Sequence, residues 1–292
     1  VVMINEAHHV PQHRALTLEL LPRLRRQGFA YFAAETLDEA DTQLNARGYP
    51  TAQSGYYTAE PVHGELIRGA LRLGYRVVPY EAQGAGSADE RERGQARNLI
   101  ERILKHDPQA RILIHAGYAH IDETGADRVG VTMAQRFKEA TGLDPFTIDQ
   151  TEMSEHSAPE YEQPLYRHVR APRPTVFRNA QGQWWTLEPG RHDVTLFHPR
   201  SRYTNGRPDW LRLGGSRKPY RLPPQVCGAA PRCLVRARAA GEAADATPID
   251  QLEVTAARPA TLLLPAGELV VEVQDPAGKP IRNFSVGKRR SH

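Results

Sequence analysis

Glu6, His8 and His9 follow directly on an apolar run at residues 1–5, and Glu35, Glu81, His115 and Asp149 each close or follow a later one. Carboxylates and imidazoles recurring at equivalent positions are what acid–base chemistry requires, an imidazole to take a proton near neutral pH and a carboxylate to orient it. No turn residue separates Glu6 or Glu35 from its run, so both are expected to be partly buried, where an unpaired carboxylate is costly and needs a partner. In Ile112-Leu-Ile-His-Ala-Gly-Tyr-Ala-His120, the two imidazoles share neither a helix face nor a strand face. A turn at Gly117 is needed to bring them together. Arg14 is placed to direct its guanidinium at Glu6, at Glu35 or at a substrate oxyanion. His8, Tyr57, Glu81 and Tyr118 are expected to touch substrate. Each residue also has a plainer role open to it: a salt bridge for Glu6 and Glu35, a helix cap for His9, solvent for Arg14.

These residues converge only if the elements carrying them share an edge. Strand-like runs at 1–5, 30–34, 76–80, 111–114 and 145–148 alternate with helical patterns, the signature of βαβ units and a parallel sheet flanked by helices. In such a sheet, ligands bind at the carboxyl ends of the strands. A helix is expected after Pro11, with a kink at Pro22 and a stop at Gly28. Others are expected after Pro61 up to Gly74, after a capping box formed by Ser87 and Glu90, and around Met133 and Phe137 up to Gly142. Residues 36–60, with Tyr56 and Tyr57, exceed an ordinary connection and suit a lid, a substrate wall or a packed loop.

Beyond residue 160 helical periodicity fades. The expected division is an α/β domain over 1–160, a Pro- and Glu-rich linker over 161–174 and a smaller β-rich domain over 175–292, with strands in 176–187 about a turn at 179–182, at 193–197 and 234–238, and in 262–273, where the runs near 260–264 and 269–273 are each strand-sized. Residues 200–224 read as an irregular excursion. Trp184 and Trp185 are neighbours in a strand, so one should face the core and the other solvent. Structural support is the expected role of this region.

The chain has 292 residues, 40% hydrophobic and 25% charged, and a net charge of +4. That excess is too small to indicate a nucleic-acid partner, and the basic spots at 23–26 and 288–290 read as a solvated face and tail. No run approaches the roughly 18 apolar residues of a membrane span, so no transmembrane segment is expected. The two cysteines, Cys227 and Cys233, flank a Gly- and Pro-containing loop that suits a disulfide, which favours a periplasmic or secreted protein.

The Glu6-Ala-His-His9 string, Arg14, the run from Gly28 to Glu35 and the late string from His115 to His120 together resemble the erythromycin esterase and ChaN-like superfamily, over about residues 1–151. Asn5 stands where that pattern usually has glycine, His8 adds an imidazole, and the late histidines are more widely spaced than in the esterases. The resemblance implies Glu6, His9, Arg14, Glu35, His115 and His120 as functional residues. It also implies a split range of activities: metal-independent hydrolases, haem-binding proteins and, more distantly, metalloproteases.

The leading expectation is a hydrolase that cleaves an ester, lactone or amide in a small-molecule or peptide substrate without a cofactor. His9 would take a proton from water, Glu6 and Glu35 would orient it, and Arg14 with His115 or His120 would stabilise the oxyanion or protonate the leaving group. One alternative is a metal-dependent hydrolase or protease, its divalent ion held by His9, His115, His120 and a carboxylate. His9 and His13 mimic the spacing of a zinc helix, but Pro11 interrupts it. The other alternative is a haem- or ligand-binding protein that uses a histidine or a tyrosine such as Tyr57 or Tyr118.

Overall fold

Near-continuous apolar runs at 2–6, 31–34 and 112–117 bury both faces of their strands, as a parallel sheet covered on two sides demands. The computed structural model describes residues 1–124, 130–255 and 260–287; the basic run at 288–290 lies outside them. Val2–Glu6 (β1), Tyr31–Ala34 (β2), Arg76–Pro79 (β3), Ile112–Gly117 (β4), Phe146–Asp149 (β5) and Val194–Thr195 (β6) form a parallel sheet in the order β3-β2-β4-β1-β5-β6.

Helices cover the two faces. Pro11–Arg26 (α1) and Pro61–Arg72 (α3), with the one-turn Leu44–Arg47 (α2) between them in the chain, lie on the face of Ile4, Phe32 and Leu113. Ala88–Leu99 (α4), prolonged by a π-helical turn at Ile100–Leu104, and Met133–Thr141 (α5) lie on the face of Met3, Ala33 and Ile114. Pro22 sits inside α1 without ending it. The expected capping box at Ser87 is half formed. Ser87 Oγ accepts from the Glu90 amide, but the Glu90 carboxylate takes the amide of Gly86 instead of that of Ser87. A complete box caps α5, between Thr132 and Gln135.

The parallel sheet does not end at residue 160, because β6 extends its edge beside β5. Residues 161–174 are also tied down. They include the short helix Pro164–His168 (α6), whose Tyr166 packs with Met153 and Phe197, while Glu162 takes two hydrogen bonds from Arg200. The strands expected in 176–187 about a turn at 179–182 reduce to a single antiparallel bridge between Arg178 and Trp184 across that turn. Trp185 packs on Phe197, and Trp184 is 40% exposed, under the Arg178 guanidinium. The tryptophans thus divide between core and surface as their alternation predicts.

The C-terminal region is β-rich. Tyr203–Thr204 (β7) and Arg207–Pro208 (β8) form a hairpin across Asn205 and Gly206, both at positive φ (52° and 74°), within the stretch expected to be irregular. Lys218–Arg221 (β9), Arg232–Ala239 (β10), Asp250–Thr255 (β11), Thr261–Leu264 (β12), Leu269–Gln274 (β13) and Pro280–Val286 (β14) follow. They make an antiparallel sheet β11-β10-β13-β14 and a pair β12-β9. The strand-sized runs expected near 260–264 and 269–273 are β12 and β13, which lie in different sheets. Val235, Val254, Leu262, Val271 and Val273 fill the core between the two. The region grips the α/β part through Arg68 of α3, which donates to the Glu242 carboxylate at 2.7 and 2.5 Å and to the Thr247 carbonyl. No helix among the described residues is long and apolar enough to cross a membrane.

Cys227 and Cys233 are disulfide-bonded and buried against this core, with 5.3 Å between their Cα atoms. A loop this short restricts the unfolded chain modestly. Replacing both by serine should cost about 2 kcal/mol in a denaturant titration followed by circular dichroism.

Candidate active site

The parity of the strands decides where each acid points. Ile4 pairs with His115, and Glu6 with Gly117, in neighbouring strands. Glu6 and His115 thus face α1, whereas Glu35, one residue beyond β2, meets side chains from α4. Two clusters result, and they touch at Gly117.

On the α1 side, Glu6 is the hub. Its Oε1 accepts from His8 Nδ1 at 2.8 Å and from Arg14 Nη2 at 2.7 Å. Its Oε2 accepts from Arg14 Nε at 2.7 Å and from His115 Nε2 at 2.8 Å. The other ring nitrogen of His115 meets Thr17 Oγ1 at 3.2 Å. Arg14 lies one turn inside α1, and its remaining N–H groups go to Glu60 Oε2 at 3.0 Å and the His8 carbonyl at 3.0 Å. Glu60 also caps α3, accepting from the amides of Val62 and His63, so one carboxylate serves a helix start and a buried cation together. Burial would raise the Glu6 carboxyl, but the His115 and His8 rings and the Arg14 guanidinium overcome it and hold it well below the usual carboxylate range.

On the α4 side, Glu35 Oε1 accepts from Arg91 Nη2 at 2.5 Å and lies 3.3 Å from His120 Nε2, and its Oε2 takes the Gly117 amide. His120 Nδ1 is 2.5 Å from Glu92 Oε1, and the other Glu92 oxygen accepts from the Met133 amide at 2.6 Å. Arg91 is chelated by Glu81 at 2.9 and 2.7 Å. Burial would depress the His120 imidazole, but Glu35 and Glu92 on either side of it raise its pKa to about 10. Glu35 is raised by burial and lowered more strongly by His120 and Arg91, to about 2. The ring thus lies between two carboxylates, with Arg91 Nη1 also 3.0 Å from its Nε2.

His8 joins the clusters. With Nδ1–H donating to Glu6, its Nε2 carries the lone pair. The ring is half-buried, stacked on Tyr57 with 4.4 Å between centroids and edge-on to Tyr118 at 5.2 Å. A Cβ on Gly117 would lie 2.3 Å from His8 Nε2 and 3.0 Å from Glu35 Oε2, so only a glycine lets the His8 ring and the Glu35 carboxylate pack together at this point. Tyr118, the next residue, has φ of 40°, an unfavourable conformation of the kind that gathers at functional sites. A cavity of about 330 Å³ opens beside Glu81, between Gly84 and Arg97.

The structure reassigns several expected roles. His9 is exposed and meets Tyr118 Oη at 3.2 Å, not Glu6, because the turn after β1 carries its ring outward. The imidazole seated on Glu6 is His8. Arg14 is 1% exposed with its donors engaged, and His115 is buried between Glu6 and Thr17, so neither reaches an oxyanion. Both position other groups. Glu35, His120, Glu81, Tyr57 and Tyr118 do converge on the edge, whereas Asp149 is turned away to hold Asn5 and Thr151. Arg91, Glu92 and Glu60 were not anticipated. The Ser87 cap placed Arg91 and Glu92 on the first turns of α4, but nothing local to the sequence aims that turn at Glu35.

Three more histidines, His13, His63 and His198, are buried nearby, with His63 and His198 pushed down to about 3 by burial. Each has one ring nitrogen without a hydrogen-bond partner. Among the described residues, no three histidine, cysteine or acidic side chains form a group that could hold a metal ion.

No family model matches the chain, and no curated protein does. A solved structure described as "Crystal structure of bacterial protein toxins" is similar with a TM-score of 0.37 and 16% identity, covering 50% of this chain and 33% of that one. The chain thus spans a third of that structure, and the likeness is too slight to carry fold or function.

These protonation states fix the sign of the pH response. His120 gains its proton's stabilisation fully below the ordinary histidine pKa of about 6.5 and loses it as pH rises through about 10. His63 and His198 stay neutral when folded, so their contribution is present above about 6.5 and lost as pH falls toward about 3. Melting temperature should decline on both sides, and His120→Gln should flatten the alkaline decline relative to the unsubstituted chain.

Proposed function

We propose that the chain is a hydrolase that activates water with His8 and cleaves an ester, lactone or amide. The observation that carries this reading is the half-buried His8 imidazole, bonded through Nδ1 to an ionised, buried Glu6 and seated with its Nε2 edge against Gly117 beside Glu35. A carboxylate–imidazole pair with one free ring nitrogen is the arrangement of a general base oriented by a third group. In this reading, a water bound at His8 Nε2 gives its proton to that nitrogen as its oxygen bonds to the substrate carbonyl carbon. The oxyanion faces Arg91, which is 35% exposed, with the phenols of Tyr57 and Tyr118 beside the reacting atoms. Collapse breaks the bond to the leaving oxygen or nitrogen, and His8 returns the proton to it. The enzyme ends the cycle in its starting protonation state, and no cofactor is required.

Glu6 serves as the orienting carboxylate, held by Arg14 and His115. Glu35 and His120 hold Arg91 and the Gly117 turn in place. The order of motifs that resembles the erythromycin esterase and ChaN-like superfamily supports the same reading, with His8 in the role expected of His9. The Cys227–Cys233 bridge favours an oxidising compartment, the periplasm or the exterior.

A screen of the full chain against ester, lactone and amide libraries tests the proposal. Once a substrate is in hand, His8→Ala should lower kcat by roughly 10²–10⁴-fold, as expected for losing a general base. His9→Ala should change it by less than about tenfold. Equal activity of the wild type and His8→Ala would dismiss the mechanism. Gly117→Ala should be nearly as damaging as His8→Ala, because its methyl group takes the space in front of His8 Nε2.

A further inference from the structure

The surface of α1 away from Glu6 borders two adjoining cavities, of about 630 and 660 Å³, which share Leu16, Glu19, Arg173, Pro174 and Gly214. They differ sharply in chemistry. The first is lined by Arg170, Arg173, Arg200, Arg202 and Arg212, against Glu19 and Asp209. Arg200 is engaged by Glu162, and Arg212 Nε lies 3.9 Å from Asp209. Arg170 donates only to the Arg167 carbonyl, at 3.2 Å. Among the described residues, Arg170, Arg173 and Arg202 face this cleft without a carboxylate partner, and all three are exposed.

The second cavity exists because the sheet lacks part of its cover. Parallel sheets bury both faces, normally beneath their crossover helices. α1 and α3 roof β1, β2 and β4, but the connection from β5 to β6 holds only the five-residue α6 among its α-helices and lays none over the strands. Ile148, Val194 and Leu196 are left as the floor of a trough, with Leu20, Val176 and Trp184 along its sides. Val194 and Leu196 are buried, so the floor is recessed rather than a flat patch. Both volumes lie within the roughly 300–1,000 Å³ range of ligand sites.

Which occupant suits a basic cleft continuous with an apolar trough? One turn of an α-helix, about 10 Å across and 5.4 Å long, already fills about 400 Å³, so the trough has room for less than two turns. An alkyl chain has a far smaller cross-section. Carboxylate and phosphate are the groups that guanidinium forks recognise. We propose that the double cavity binds a free single-chain anionic amphiphile, its head on Arg170, Arg173 and Arg202 and its alkyl chain along Ile148, Val194, Leu196 and Trp184. The site lies outside the Glu6 and Glu35 clusters and stands or falls independently of the hydrolase reading.

Dodecyl phosphate, added to the full chain below its micelle concentration, is the probe. Calorimetry and tryptophan fluorescence read it, since Trp210 lines the cleft and Trp184 the trough. Saturable one-to-one binding with an emission shift is expected, with inorganic phosphate and dodecyltrimethylammonium at least tenfold weaker. The Arg173→Glu/Arg202→Glu pair should weaken binding at least tenfold while leaving the circular dichroism spectrum unchanged, and Leu20→Gln should weaken it without altering head-group preference. His8→Ala should bind normally. The proposal is overturned if charge reversal has no effect or if the cationic detergent binds as well. It is equally overturned if the protein ignores monomeric dodecyl phosphate and binds vesicles of anionic phospholipid, which would make the face a membrane surface.

Discussion

A carboxylate at the end of a buried strand cannot stay ionised unless something replaces its water, and the Glu6–Arg14 pair meets that demand. The guanidinium takes both Glu6 oxygens with bonds of 2.7 Å, which is bidentate geometry, and Glu60 and a carbonyl satisfy its remaining donors. The pair does more than neutralise charge. It locks the start of α1 to the end of β1 and, through Glu60, to the start of α3, so three elements share one electrostatic joint. The two remaining Glu6 contacts are imidazoles, one buried and one facing the mouth. The chemistry proposed for His8 depends on Glu6 staying charged, and Arg14 keeps it so.

The second cluster follows similar logic with different parts. Glu35, Glu81 and Glu92 surround Arg91 and His120, so each of the two has two carboxylate partners. A buried network of this kind is stable only when its members are matched. His8 meets it across Gly117, whose amide binds Glu35 and whose missing side chain makes room for the ring. Backbone and side chains therefore define the reactive space together.

The β-rich region braces this arrangement from behind. Arg68 extends from α3 to Glu242 and Thr247, and Thr247 Oγ1 donates to the Thr58 carbonyl at 2.6 Å, just ahead of the Glu60 cap. The loop carrying Tyr57 is thereby held just ahead of α3, and the Thr247 amide also donates to the Pro50 carbonyl. A long connection that would otherwise move is fixed beside His8, which is how a region without site residues bears on the site.

Periodicity in the sequence determined the five main strands, the helices between them and the edge at which the acids and imidazoles gather. These depend on local patterns of apolar residues and caps that no other packing satisfies. Glu6 and Glu35 were legible as buried, partnered carboxylates because each follows its strand without a turn residue. The choice between His8 and His9 was not, since adjacent residues differ only in the direction the turn sends them. Arg14 read equally well as a surface arginine, and only its reach across the β1–α1 corner turns it into a buried support. Arg91, Glu92 and Glu60 belong to segments far from Glu6 in the chain. Their partnership with the site was decided by how the helices pack, because charge pairing at these distances depends on ångström-scale placement that sequence spacing does not encode. The same holds at the sheet edge, where β6 comes from a region whose composition marked it as part of another domain, and joins β5 because that edge was left unpaired.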